Sequence, residues 1–274
     1  MLDAILLFRE ALYGALVIAA VCSMLGVYVV LRRIVFVGAA LAQLSTLGIA
    51  LSFWLAGLGV AGFLTGQPVV LSLLATLAGV LFFGSGAGRA RIPPDARIGV
   101  AYALAAALAI LFIAKAAAGE AHDIFLQGNI LGITRRDWVV LLGVSVPVAA
   151  LHAIFYKEFL FISFDQETAR SLGYRVERWT LLLYLTIGVA IASAMQFAGI
   201  MLVFNFLVLP AVTGLFLARG MAGVFAWAVG SGLVAAIVGF SLSVPFDLPT
   251  GPAIVAVSGA LVIIAWMIRR LRER

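Results

Sequence analysis

The sequence predicts an all-α, polytopic membrane protein, a helix bundle with about nine transmembrane segments. Three observations predict it. Of the 274 residues, 65% are hydrophobic and only 11% are Asp, Glu, Lys or Arg, against roughly 25% charged in soluble domains. A soluble chain of this length has more surface than so few charges can cover. The apolar residues also come in long runs separated by short charged or Gly/Pro stretches, and about 20 apolar residues span a bilayer as a helix. Finally, 28 Gly and 19 Phe suit helices in lipid. These features exclude a soluble enzyme, a disordered chain and a disulfide scaffold. The single cysteine, Cys22, has no partner within the chain.

The expected spans follow in order. The first, 11–31, runs directly into Arg32 and Arg33 with no small-residue cleavage site, so it reads as a span and not a removed leader. The next are 35–57, 67–88, 98–115 and 138–156. Spans 179–197 and 199–217 nearly touch at Gln196–Gly199, which requires a tight turn at a membrane face. Spans 222–244 and 251–268 complete the set. No internal repeat divides the chain, and residues 1–274 read as one transmembrane domain.

With nine spans, alternate loops fall on opposite sides. One side collects 14 of the 18 Lys and Arg; the other has Arg9, Lys115, Arg135 and Arg136. The positive-inside bias places the N-terminus outside and the C-terminus in the cytoplasm. The net charge of +6 is spread too thinly for nucleic acid and reads as this orientation signal.

No expected span carries Asp, Glu, Lys or Arg away from its ends. Ion-coupled pumps need such groups to bind and release the driving ion. The two histidines, His122 and His152, form no HExxH pattern, and neither Lys115 nor Lys157 stands in a phosphate-binding Gly-Lys-Ser/Thr loop. No cofactor motif is present. The chain therefore has no energy source of its own: it is a passive pore, or another subunit drives it.

Residues 157–178 bear on that choice. Asp165, three residues before Thr168, is placed to cap a short helix. Gly173 is placed to end the stretch Glu167–Leu172. A short, doubly capped cytoplasmic helix suits docking of another protein; a solvated loop helix fits the spacing equally well.

The segment Ile162-Ser163-Phe164-Asp165-Gln166-Glu167-Thr168-Ala169-Arg170-Ser171-Leu172-Gly173 resembles the coupling loop of permeases of the metal-ion (zinc/manganese/iron) ABC importer family. Further stretches resemble that family in order: Val30-Leu31-Arg32-Arg33 before Phe36-Val37-Gly38, Leu126-Gln127-Gly128-Asn129-Ile130-Leu131, Gly199-Ile200-Met201-Leu202-Val203, Leu207-Val208-Leu209-Pro210-Ala211 and Asp247-Leu248-Pro249-Thr250-Gly251-Pro252-Ala253-Ile254-Val255. The resemblance covers nearly the whole chain. It implies a type II ABC importer permease fold in the bacterial cytoplasmic membrane. It also implies a second copy of the chain, a cytoplasmic ATP-binding cassette subunit that hydrolyses ATP, and an extracytoplasmic metal-binding protein that delivers the cargo. On this reading the chain is not itself an enzyme. Asp165, Glu167, Ala169, Arg170, Leu172 and Gly173 are the expected coupling residues.

The cargo implied is a divalent metal ion, zinc or manganese first. The alternative is a stand-alone channel or facilitator for a small neutral or metal-complexed solute. The family's second span typically has Gly-Asp-Ala-Leu-Ser-His, whose Asp and His contact the ion. Here the stretch is Gly38-Ala39-Ala40-Leu41-Ala42-Gln43. Ala39 and Gln43, four apart, share a helix face, but offer one neutral oxygen where Asp and His would bind zinc or manganese. Ala39, Gln43, Ser45 and Asn205 are the expected pathway residues. Glu120, His122 and Asp123 cluster on the outer loop as a candidate metal entrance, with a solvated loop the plainer reading. His152 reads as a packed or snorkelling histidine, and Asn205, Thr213, Ser193 and Gln196 as interhelical hydrogen-bonding groups or pathway lining.

Overall fold

The computed structural model describes residues 8–59, 68–84, 94–116 and 130–273. In chain order the elements are α1 (Arg9–Leu31), α2 (Val35–Gly57), α3 (Pro68–Gly84), α4 (Pro94–Lys115) and a 3-10 turn (Ile130–Gly132). Then come α5 (Arg135–Ile154), α6 (Tyr156–Phe164), α7 (Gln166–Ser171), α8 (Val176–Leu217), α9 (Met221–Ser243) and α10 (Thr250–Arg272). Among the described residues, eight segments are long and apolar enough to cross a membrane, α8 supplying two of them; α3 is apolar with 17 residues. Together they match the nine expected spans. The expected end of the third span, at 88, lies outside the described residues.

Helix is the only economical state for these sequences in lipid, because each backbone N–H and C=O must be paired within the segment. Their outer faces are apolar: Val100, Leu104 and Leu111 of α4 and Ile263, Trp266 and Met267 of α10 are exposed. Inward faces use small residues so that backbones approach closely. A Cβ on Gly26 would stand 2.3 Å from the Leu207 carbonyl oxygen, and one on Gly48 2.3 Å from that of Leu71. The core lies along α1, α2 and α8, with Ile18, Leu25, Leu41, Ile49, Leu183, Ile187 and Phe206 fully buried.

The 42 residues of α8 would reach roughly 63 Å if straight, about twice the hydrocarbon core. They do not run straight. Gly199, at φ 68° and ψ 170°, divides α8 into α8a (176–198) and α8b (200–217). Contacts at the two ends show that the halves return on each other. Thr180 on α8a accepts a 3.0 Å hydrogen bond from Arg32 at the end of α1. Leu217, at the end of α8b, accepts a 3.3 Å bond from Arg272. Phe225, just after that end, packs on Tyr28 of α1 at 5.0 Å and on Tyr156 at 5.6 Å. Arg32, the start of α8a, the end of α8b and the C-terminal arginines therefore share one end of the bundle. At the other end, Trp138 of α5 donates a hydrogen bond to Glu10 of α1.

Two local differences from the sequence reading have clear causes. The fifth span starts at Arg135 because Thr134 and Asp137 form a capping box, which satisfies backbone donors before the apolar run. The expected loop 157–178 holds two helices. Its first part, α6, is amphipathic: Phe159 and Ile162 are fully buried, and Phe159 packs on His152, Trp179 and Tyr28 at 4.3, 5.5 and 6.0 Å.

Candidate transport groove and docking surface

α2 is the base of a large cavity. α4 packs along one side of α2, and α8 along the other with α10 beside it. The space between them is a groove of about 730 Å³. α2 contributes Phe36, Ala39, Ala42 and Gln43, and α4 contributes Ile98, Gly99 and Tyr102. Its other wall is Ile200, Met201, Phe204, Asn205 and Leu209 of α8b with Val255 of α10. Phe36, 72% exposed, sits at the mouth near the Arg32 end.

Three of the four expected pathway residues, Ala39, Gln43 and Asn205, thus line one groove. The 3.6-residue period puts Ala39 and Gln43 on the same side of α2. The Gly199 reversal brings α8b back alongside them. Asn205 is almost wholly buried. Its Nδ2 donates a 3.0 Å hydrogen bond to Ser258 of α10, and its Oδ1 is buried with no partner. Ser45 stands elsewhere: it is fully buried and hydrogen-bonded at 2.7 Å to Ser72, tying α2 to α3.

Among the described residues the groove is lined by neutral side chains. Gln43, Asn205 and Tyr102 provide its polar ends among otherwise apolar or small side chains. Among the described residues no three or more His, Cys, Asp or Glu come together to hold a metal. The outer-loop candidates Glu120, His122 and Asp123 lie outside the described residues. His152 is buried and bonded at 2.9 Å to Thr186, a packing role. Ser193 and Thr213 bond to carbonyls of their own helix. Tyr102 and the apolar wall, especially Phe204 and Met201, were not expected from sequence. Tyr102, the one phenol in the apolar run of α4, is the signal that marks its groove-facing side.

The expected coupling residues form a compact unit at the Arg32 end. Asp165 caps α7, its carboxylate accepting a 2.9 Å bond from the Thr168 backbone N–H. Hydrogen bonds from the Thr168 side chain and backbone hold the Asp165 carboxyl below the usual carboxylate range. Ala169 is fully buried, and its carbonyl accepts from Tyr174 N–H at 3.0 Å. Gly173, at φ 87°, occupies the left-handed region that side chains disfavour. Arg170 pairs with Glu177 at 2.7 Å, and Glu167 lies in the first turn of α7. Beside this unit is a second cavity of about 520 Å³, lined by Leu172 to Arg175, Arg178, Trp179 and Leu182. Leu172 is 66% exposed there, and Phe164, at the end of α6, is 60% exposed. A short rigid helix with exposed apolar residues and arginines around a concavity is suited to docking a protein.

Comparison with known proteins extends this picture over the whole chain. The ABC 3 transport family matches residues 4–269. The manganese transport system membrane protein MntC of Listeria monocytogenes is 30% identical over 261 residues, 94% of this chain and 89% of that protein. The protein of the same description from Halalkalibacterium halodurans is 28% identical over 94% of this chain and 86% of its own length. Among solved structures, PsaBC from Streptococcus pneumoniae in complex with Fab matches with a TM-score of 0.84 and 25% identity, over 97% of this chain and 94% of that one.

Proposed function

This chain belongs to the ABC 3 transport family, and we propose that it is the permease through which an ABC importer moves a divalent metal inward, manganese first and zinc second. As an ABC transporter permease it is a non-catalytic membrane subunit. The likeness along nearly the full length to manganese transport membrane proteins is the observation that carries the cargo.

On this reading the groove is the pathway, and a second copy of the chain covers its open side between α4 and α10. A cytoplasmic ATP-binding cassette subunit seats on α7 and the cavity beside Trp179. An extracytoplasmic metal-binding protein delivers the cargo at the Glu10–Trp138 end. The Arg32 end, which gathers most of the basic residues, is cytoplasmic in a bacterial inner membrane. A partner shifts a two-state equilibrium only by its differential affinity for the two states. ATP-driven movement of the docked subunit therefore acts by pulling α7, and with it α8a, between two packings around the groove.

The test is metal uptake by the permease reconstituted with its ATPase and delivery subunits, across Mn²⁺, Zn²⁺, Fe²⁺ and Co²⁺. ATP-dependent accumulation of manganese or zinc is expected. Equal uptake without the ATPase overturns the importer.

A further inference from the structure

We propose that Arg32, Arg33 and Arg97 form an electrostatic release collar at the cytoplasmic mouth of the groove: their positive charge weakens the hold on a divalent ion there and keeps the ion from re-entering from the cytoplasm. The inference rests on the groove being the import pathway and adds how it lets its cargo go.

Position comes first. Phe36 lines the groove and is exposed at its mouth. Arg32 and Arg33 lie in the turn that leads from α1 into α2 just before it. Trp54, near the end of α2, stacks on Phe112, near the end of α4, at 5.0 Å. The two helices therefore run in parallel, and the first turn of α4 stands at the Arg32 end. Arg97 is in that part of α4, next to Ile98 and Gly99 of the groove wall.

The local structure holds these charges in place. A basic residue that only marks orientation needs to be on the cytoplasmic side and nothing more, and its long side chain is free to reach water. Arg32 instead turns back onto α8a. Its Nη2 donates to Thr180 at 3.0 Å and its guanidinium lies 6.0 Å from the Tyr184 ring. Its Nε and Nη1 are buried with no partner, as is the Nε of Arg97. Arg33 stands at φ 58°, a conformation that glycine takes without cost and other side chains disfavour. An exposed arginine is kept there against the preference of its own backbone.

The charge is not cancelled. Among the described residues none of the three is ion-paired with a carboxylate. From Arg33 to Arg97 the sequence has a single acid, Asp95. Of the acids on the coupling segment, Asp165 is spent on capping α7 and Glu177 on Arg170. A second copy across the open side brings the same three arginines, so symmetry adds to the collar. A unit charge about 10 Å from a divalent ion shifts its equilibrium about fourfold in water, and more where protein displaces water.

The test places the permease with its ATPase and delivery subunits in liposomes, with the delivery subunit and Mn²⁺ inside and the ATPase facing out. ATP then drives Mn²⁺ toward the cytoplasmic face, and Mn²⁺ added on that face competes at the mouth. Arg33→Gln with Arg97→Gln removes two charges, and Arg33→Lys with Arg97→Lys keeps them. Arg32 is left in place because it bonds α8a, and the remaining basic residues preserve the orientation. At about 20 mM salt the Gln variant is expected to be half-inhibited by at least about fivefold less cytoplasmic-side Mn²⁺ than the parent. Arg97→Gln alone moves the same way by about twofold, and the Lys variant matches the parent. At about 500 mM salt the differences close, because screening then acts within a few ångströms. Gln variants as resistant as the parent, a difference that salt leaves unchanged, or a Lys variant that behaves like the Gln variant overturns the proposal. A parent that moves no Mn²⁺ on addition of ATP overturns the importer reading, and the collar with it.

Discussion

Asn205 on α8b and Ser258 on α10 are joined by a 3.0 Å side-chain hydrogen bond 53 residues apart in sequence, and the amide oxygen left over is buried beside the groove. The bond clamps one groove wall to its neighbour. Interhelical hydrogen bonds in membranes average about 0.6 kcal/mol and reach about 1.7. Ser258→Ala is therefore expected to lower stability by about 1 kcal/mol, since it leaves the amide donor buried and unpaired. Asn205→Leu removes donor and acceptor together, is expected to melt closer to the parent, and slows transport. Thermal melting of both single variants and the double in detergent checks the ordering.

Topology gives the second prediction. Arg32 against Thr180 and Arg272 against Leu217 put the coupling segment and the C-terminal arginines at one end of the bundle. In a Cys22→Ala background, cysteines at Gln166 and Arg272 are expected to react with impermeant thiol reagents only from the cytoplasmic side. A cysteine at Ala121 reacts from outside. Labelling of position 166 in intact cells would reverse the orientation.

A third prediction concerns the coupling unit. Gly173 sits at φ 87° and donates its N–H to the Arg170 carbonyl at 3.1 Å. Proline locks φ near −65° and has no N–H, so Gly173→Pro breaks the end of α7. Arg170→Glu sets like charges against Glu177. That ion pair is exposed, where solvent screening leaves little net stabilisation, so the permease still folds. Both variants are expected to lower coupled ATP hydrolysis about tenfold or more while purifying intact; Glu177→Gln, which breaks the pair without reversing charge at the docking face, keeps most of it. Undiminished hydrolysis in both would move the docking site elsewhere.

The Asp165 cap adds a pH dependence. Its folded-state carboxyl is held below the usual range by the Thr168 hydrogen bonds. The contribution is therefore present above the unfolded pKa and lost as pH falls through the folded one. Loss of coupling in acid, below the ordinary carboxylate range, is expected for the parent. Asp165→Ala lacks the cap at every pH, and the Thr168 amide should then exchange about fivefold faster in hydrogen-exchange measurements at neutral pH.

The spans were legible because hydropathy in lipid is close to a sufficient rule: each run must be a helix, and its length fixes the crossing. The caps of α7 were legible for a local reason, Asp165 and Gly173 acting within a few residues of themselves. The groove was only half legible. Ala39 and Gln43 share a face by helix period alone, but Asn205 joins them because Gly199 reverses α8, a fact of tertiary packing. Ser45 looked equivalent to Gln43 two residues away. It is turned about 200° around the helix by those two residues, which aims it at Ser72. The apolar wall was illegible, since Phe204 and Met201 read the same whether they face lipid, a core or a groove.

The second span carries the sharpest test. Ala39 and Gln43 line the groove one helical turn apart, so Ala39→Asp with Gln43→His places a carboxylate and an imidazole on one face, four residues apart. That pair is a fit ligand set for zinc or manganese. Both positions are only half-buried, so the new carboxylate has access to water and to a cation, and its cost is far below that of a charge sealed in hydrocarbon. The double variant is expected to fold, to bind zinc or manganese at least about tenfold more tightly than the parent, and to transport more slowly, because a tighter stop releases its cargo more slowly. Ala39→Asp alone should melt lower than the double variant, since the imidazole and the bound ion are what neutralise it. Metal affinity and melting temperature are measured on the same preparations. A stable, correctly assembled double variant that binds no more metal than the parent would show that these two side chains do not share the path of the ion.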